Sequence, residues 1–162
     1  MPRPKTNPMR NKPTRLVLDS FIPYRLSVLT NQVSSAIAGH YSERFDLSIP
    51  EWRIIAVLGE NTDLSAGDVA ARTAMDKVQV SRAVASLLKA RRIRRSSDAK
   101  DGRVSHLSLT GAGRKIYQNI APLALELEEL LLSSLTANER ENFGRLLTKL
   151  MQQSPKLRRC GG

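Results

Sequence analysis

Across residues 64–109 the hydrophobic period of the chain changes from that of a helix to that of a strand, and few folds accommodate that succession. Asp76 precedes a run with neither glycine nor proline until Gly102, and its short carboxylate suits the N-cap of a helix starting near Lys77. At 100° per residue, Val80, Ala83, Val84 and Leu87 share one face of that helix. Val78, Arg82, Ala85 and Lys89 lie opposite, flanked by Gln79, Ser81 and Ser86. Upstream, Ser65 suits the cap of a shorter helix through Ala66, Val69, Ala70 and Arg72, with residues 73–76 as the intervening turn of a helix-turn-helix. Downstream, Arg91, Arg92, Arg94 and Arg95 surround Ile93; then Ser105, Leu107 and Leu109 alternate with Val104, His106 and Ser108. A period of two means strand, so residues 98–103 become the polar tip of a two-stranded ribbon. The expected fold class is mainly α, a winged helix-turn-helix with further helices on both sides.

The outer face of the second helix is small and polar, as a helix lying in a DNA major groove requires, although an ordinary surface helix has the same look. Charge separates the two readings. The chain carries +11, with ten basic against three acidic residues over positions 72–103, five basic and no acidic over 1–15, and three basic over 156–162. The remaining body is net acidic, so positive charge is concentrated where a nucleic-acid binder needs it. A membrane surface would want a bulky apolar face beside the cations, and none is present. Single-stranded RNA would want aromatics for stacking, yet none of the seven lies within positions 72–103. Duplex DNA is the expected partner.

Residues from about 19 to 151 resemble the MarR family of bacterial transcriptional regulators. The likeness is carried by IPEWRIIAVL at 49–58, LSA at 64–66 with Val69 and Ala70, MDKVQVSRAV at 75–84, and LSLTGAG at 107–113. The wing is similar to the family's D-x-R-D-x-R pattern, met here as Asp98, Lys100, Asp101 and Arg103. The resemblance implies a homodimer that sets the helix over 76–91 in the major groove and the ribbon tip in the adjacent minor groove, often released by a small molecule. Two departures weaken the wing: Lys100 is a point charge in place of a planar arginine fork, and Gly102 stands where many relatives carry another arginine.

The flanking segments read as support. Residues 1–18 form a basic arm with no means of burying a face. Asp19 is expected to cap a long first helix whose stripe comprises Ile22, Leu26, Leu29, Val33, Ile37 and His40. Ile49-Pro50 is read as a turn before a helix over 51–60 that presents Trp52, Ile55, Ala56 and Leu58. A helix over 112–134, kinked at Pro122, carries Leu123, Leu127, Leu130 and Leu131. Thr136 and Glu139 have capping-box spacing ahead of a last helix lined by Phe143, Leu146, Leu147 and Leu150. Segments 19–48 and 110–152 have more apolar surface than a small winged domain at 49–109 can cover, so they are expected to dimerise, with 153–162 as a basic tail. Two-fold symmetry then predicts a pseudo-palindromic operator whose half-sites lie about 34 Å apart.

The expected DNA contacts are Lys77, Gln79, Ser81, Arg82, Lys89 and Arg103, the alternative for each being a solvated side chain; Asp101 is expected to orient Arg103. An effector site is expected around His40, Arg44, Trp52 and Arg53, where an imidazole and guanidinium groups beside an aromatic wall suit a small aromatic acid, a phenolic compound or an acyl-CoA thioester. The alternative for His40 is a hydrogen-bonded core or interface histidine. His106 reads as a backbone or phosphate neighbour, and the single cysteine, Cys160, as an incidental tail thiol. One cysteine permits no internal disulfide, and the N-terminus has no apolar signal core, so the cytoplasm is the expected compartment. No pattern of nucleophile, metal ligands or phosphate loop suggests an enzyme, and no cofactor or metal is expected. The rival class is an architectural protein that coats DNA without sequence preference or ligand response.

Overall fold

The computed structural model describes residues 15–97 and 105–157. The wing-tip residues Asp98, Lys100, Asp101 and Arg103, the first part of the N-terminal arm, and Cys160 lie outside them. The elements run α1 (Ile22–Phe45), α2 (Ile49–Glu60), β1 (Leu64–Ser65), α3 (Ala66–Thr73), α4 (Lys77–Lys89), β2 (Ile93–Ser97), β3 (Ser105–Leu109), α5 (Gly111–Leu132) and α6 (Ala137–Leu157). The described residues fall into two packing units that divide between Ala36 and Ile37.

In the first unit, Asp19 sits inside a short 3-10 turn, Leu18–Ser20, rather than capping α1. The Ser20 and Phe21 amides bond back to Val17 and Leu18, so the tight turn takes up the expected cap, and α1 begins at Ile22 with Pro23 in its first turn. Phe21, Ile22, Leu26 and Leu29 are exposed.

In the second unit, local chemistry starts each helix. Ser48 and Glu51 form a reciprocal capping box at α2, and Pro50 stands in its first turn. A proline there removes only an N–H that has no helical partner, so the helix begins at Ile49, ahead of the expected start. Ser65 and Asp68 repeat the device at α3, Asp76 accepts from the Gln79 amide at 2.8 Å to open α4, and Thr136 with Glu139 opens α6. α5 continues through Pro122 without a break. That proline is exposed, so the carbonyl it leaves unpaired can face water. Arg140 ties the last two helices, meeting Glu129 at 2.8 Å and the Leu132 carbonyl at 3.0 Å.

The core gathers Tyr41, Ile54, Ile55, Leu58, Val69, Val80, Val84, Leu87, Ile93, Leu107 and Ile120 between α2, α4 and the sheet. The ribbon gains a third strand. β1 pairs Leu64 with Leu107, so β3 lies between β1 and β2 in an antiparallel sheet. Two residues carry no readable period, and Ser65 pairs because its capping role already holds it extended. Arg95 pairs with Leu107, Arg94 with Ser108, and the Arg94 Nε donates to the Ser108 hydroxyl at 3.0 Å.

α4 is fixed from two sides. Its C-terminus closes with Arg91 in the left-handed region at φ 52°, the Arg91 amide bonding Leu88 and the Arg92 amide bonding Leu87. Midway along, the Ser86 hydroxyl donates to Glu51 Oε1 at 2.6 Å, while the Ser48 amide and hydroxyl donate to Oε2 at 2.7 and 2.6 Å. Burial pushes the Glu51 carboxyl up, but the Ser48 and Ser86 hydroxyls, the Ser48 amide and the nearby Arg92 charge together hold it below its ordinary value. Gly113, in the first turn of α5, lies so close to the residue preceding β2 that a Cβ there would sit 2.0 Å from the Arg92 carbonyl oxygen.

Two outcomes follow. Gly113→Ala drives a methyl into a backbone carbonyl that cannot turn aside, and should cost about 3 kcal/mol in denaturant unfolding at matched protein concentration. Glu51→Gln should cost about 1–2 kcal/mol at neutral pH. Because the folded-state pKa of Glu51 is depressed, its contribution is complete above the ordinary value of 4.5 and disappears as the pH falls through the folded value. The stability gap between wild type and E51Q should therefore narrow below pH 4.5. A gap that stays constant with pH would mean that the charge of Glu51 contributes nothing.

Candidate nucleic-acid interface

The buried face of α4 decides what its other face can do. Val80, Ala83, Val84 and Leu87 are turned into the core, which leaves Lys77, Val78, Gln79, Ser81, Arg82, Ala85 and Lys89 exposed. The helix stands between two hollows. One, of about 410 Å³, lies toward α3 and β2; Ala70, Val80 and Val84 are among its apolar lining, and Lys77, Ser81 and Arg95 are its polar members. The other, of about 290 Å³, lies toward the start of α2 and is lined by Gln79, Arg82, Ser86, Ser48 and Glu51.

The six expected DNA contacts therefore separate. Lys77 and Ser81 come together on one flank, and Gln79 and Arg82 on the other. Lys89 is exposed in the last turn, about 18 Å along the axis from Lys77 at 1.5 Å per residue, where its charge complements the helix C-terminus. Arg103 lies outside the described residues, as do Asp98, Lys100 and Asp101.

Arg95 was not among the expected contacts. The signal for it is the strand period: Arg95 follows Ile93 by two, so it shares the sheet face that covers the helices and extends past the core to the flank of α4 beside Lys77. The ribbon histidine, His106, is a backbone neighbour, its Nδ1 lying 2.8 Å from the Asp63 carbonyl. Asp68 is exposed, and the Ser65 hydroxyl and amide, followed by Arg72 and His106, hold its carboxyl below its ordinary value.

The residues expected to bind an effector do not form one cluster. His40 is exposed rather than buried on the apolar stripe, and Arg44, also exposed, has its guanidinium carbon 5.1 Å from the centre of the Phe45 ring. The buried residue of α1 is instead Tyr41, next in sequence. Its ring lies 5.7 Å from Trp52, which stacks at 27° and 6.3 Å on Tyr117 of α5. The Tyr41 hydroxyl is buried without a hydrogen-bond partner among the described residues. Desolvation pushes it up to about 12, against the lowering influence of Arg53 and with a further rise from Glu51. Trp52 and Arg53 thus belong with Tyr41, which was not among the residues expected for this site.

Among the described residues, no helix is long and apolar enough to cross a membrane, and no group of three or more His, Cys, Asp or Glu side chains could hold a metal ion.

Residues 45–104, from the end of α1 through the wing, match the model of the MarR family. The HTH-type transcriptional repressor Rv2887 of Mycobacterium tuberculosis is 24% identical over 131 residues, covering 80% of this chain and 91% of that protein. A MarR/EmrR family transcriptional regulator from Acinetobacter sp. ADP1 superposes with a TM-score of 0.80 at 27% identity, covering 87% of this chain and 99% of that one. MepR of S. aureus, solved as a complex with DNA, has the same fold, with a TM-score of 0.73 at 24% identity over 82% of this chain and 98% of its own. The capped helix-turn-helix, the three-stranded sheet and the flanking helices are those of the fold shared with MarR-family transcriptional regulators, and residues 45–104 match that family's model.

Proposed function

We propose that two copies of this chain bind a pseudo-palindromic operator as a repressor, each inserting the outer face of α4 into a major groove, and that a small aromatic acid, phenolic compound or acyl-CoA thioester releases them. The observation that carries the reading is the division of α4 into a buried apolar face and an outer face bearing Lys77, Gln79, Ser81 and Arg82. Small outward residues let the backbone approach the bases, while arginine and glutamine can pair with guanine and adenine edges and serine with a phosphate. MepR, similar in fold, has been solved with DNA, and Rv2887 is named a repressor.

The reading of a homodimer is supported by apolar side chains left uncovered on the outer helices. Leu146 and Leu150 are each about half exposed, and Leu130, Phe143 and Met151 are exposed with them, an apolar surface that a lone soluble chain would pay for in water. Effector binding is supported by the Tyr41 hydroxyl, a buried donor lacking an acceptor among the described residues, beside Trp52 and under the influence of Arg53. The assignment of the ribbon tip, which carries Asp98, Lys100, Asp101 and Arg103, to the minor groove rests on the family resemblance. Binding to a promoter places the protein in the cytoplasm.

A competition titration tests the operator. Scrambled duplex should displace the protein from its own upstream intergenic DNA only at far higher concentration; equal displacement would make the protein a nonspecific DNA coat. Arg82→Ala should weaken operator binding by about 1–3 kcal/mol while the sedimentation coefficient stays that of the wild type. Leu150→Glu should give a monomer in sedimentation velocity, with operator affinity lost in step. A monomeric wild type would end the two-fold model.

A further inference from the structure

Of the four arginines at 91–95, Arg92 is the one that is partly buried, and its contacts run into the protein. Its Nη1 donates to the Asp46 carbonyl at 2.7 Å and its Nη2 to the Phe45 carbonyl. These oxygens close the C-terminus of α1. Asp46 is in the left-handed region at φ 48°, and the Leu47 amide bonds back to Ser42, so the helix ends in carbonyls that carry partial negative charge and lack helical donors. A planar fork meets two such oxygens as a single ammonium does not.

The backbone of the same residue joins two further elements. Its amide bonds to Leu87 at 2.9 Å and closes α4, and its carbonyl accepts the Thr110 amide at 3.1 Å at the start of α5, where the Thr110 hydroxyl is shared between it at 3.0 Å and the Arg91 carbonyl at 2.8 Å. Gly113 leaves no slack against that carbonyl. The guanidinium charge also acts on Glu51, which receives the Ser86 hydroxyl from the middle of α4. The end of α1, the start of α5, the root of the wing and the recognition helix therefore converge on one residue.

We infer that Arg92 is a positioning residue, the joint through which the attitude of the α1 C-terminus sets that of α4 and the wing, and not a phosphate contact. It rests on the proposed DNA-binding function only for its consequence, since the joint itself can be tested without DNA. In the DNA-free protein, Arg92→Gln should raise amide exchange about tenfold both in the last turns of α1 and at the end of α4, while Arg91→Gln, which removes the same charge, should leave both unchanged. Faster exchange confined to one of the two segments, or in neither, overturns the joint.

With DNA, Arg92→Gln should cut the preference for operator over scrambled duplex about tenfold while the slope of log K against log salt stays that of the wild type. A side chain that only stabilised the fold would lower the unfolding midpoint and leave that preference intact, and Arg92→Lys, which keeps the charge but loses the fork, should fail to restore it. A slope smaller by about one on both duplexes would show an ordinary phosphate contact and overturn the inference. A wild-type chain with no operator preference would fell the proposed function instead, with the exchange comparison still deciding the joint.

Discussion

The burial of one face of α4 is the constraint from which the remainder follows. Leu87 is fully buried and Val80, Ala83 and Val84 nearly so, and each of the leucine and valine side chains withdrawn from water contributes about 1.5–3 kcal/mol. Rotating the helix by a third of a turn would expose that set and bury Arg82 and Gln79 without partners. The outer face is thus held in place by the inner one, and the polar ties act as fine adjustment. The Ser86 to Glu51 bond is worth far less than the apolar face in total, but it is directional, and it sets the helix against α2 where packing alone would tolerate a small slide.

Much of this could be read in the residues themselves because it is local. The caps at Ser65, Asp76 and Thr136 and the apolar period of α4 each depend on side chains within a few positions of one another. What escaped is non-local or too short to have a period. β1 has two residues and is defined by its partner strand. The Ser86 to Glu51 bond spans 35 positions, and the Arg92 fork reaches 46 and 47 positions back.

The displaced effector residues have a different cause. A helical wheel finds apolar stripes but does not say which neighbour covers them, and α1 carries apolar residues around more than one side. Its own chain covers Tyr41, next to the stripe through Ile37 and His40, because Trp52 packs against it. Most of the stripe's larger members remain exposed, and in the proposed dimer that surface is available to a second copy. Sites on elements shared between the chain's own core and a partner are therefore the least secure to place from sequence.

Shape reinforces the electrostatic case for α4. A helix with its side chains is about 10–12 Å across and the major groove about 12 Å wide, so long residues all around the outer face would keep the backbone from the bases. Ser81 and Ala85 are short there, and hollows on both flanks leave the helix standing as a ridge. The long cations occupy the flanks, Lys77 and Arg95 on one and Arg82 on the other, where the phosphate strands bordering a groove would pass. An acidic or bulky substitution at Ser81 would disturb both arrangements at once, whereas one at Lys89, in the last turn, would alter charge with little effect on fit. A face of small residues with cations on both flanks is complementary to a groove bounded by two rows of phosphates, and a uniformly basic surface of equal net charge is not.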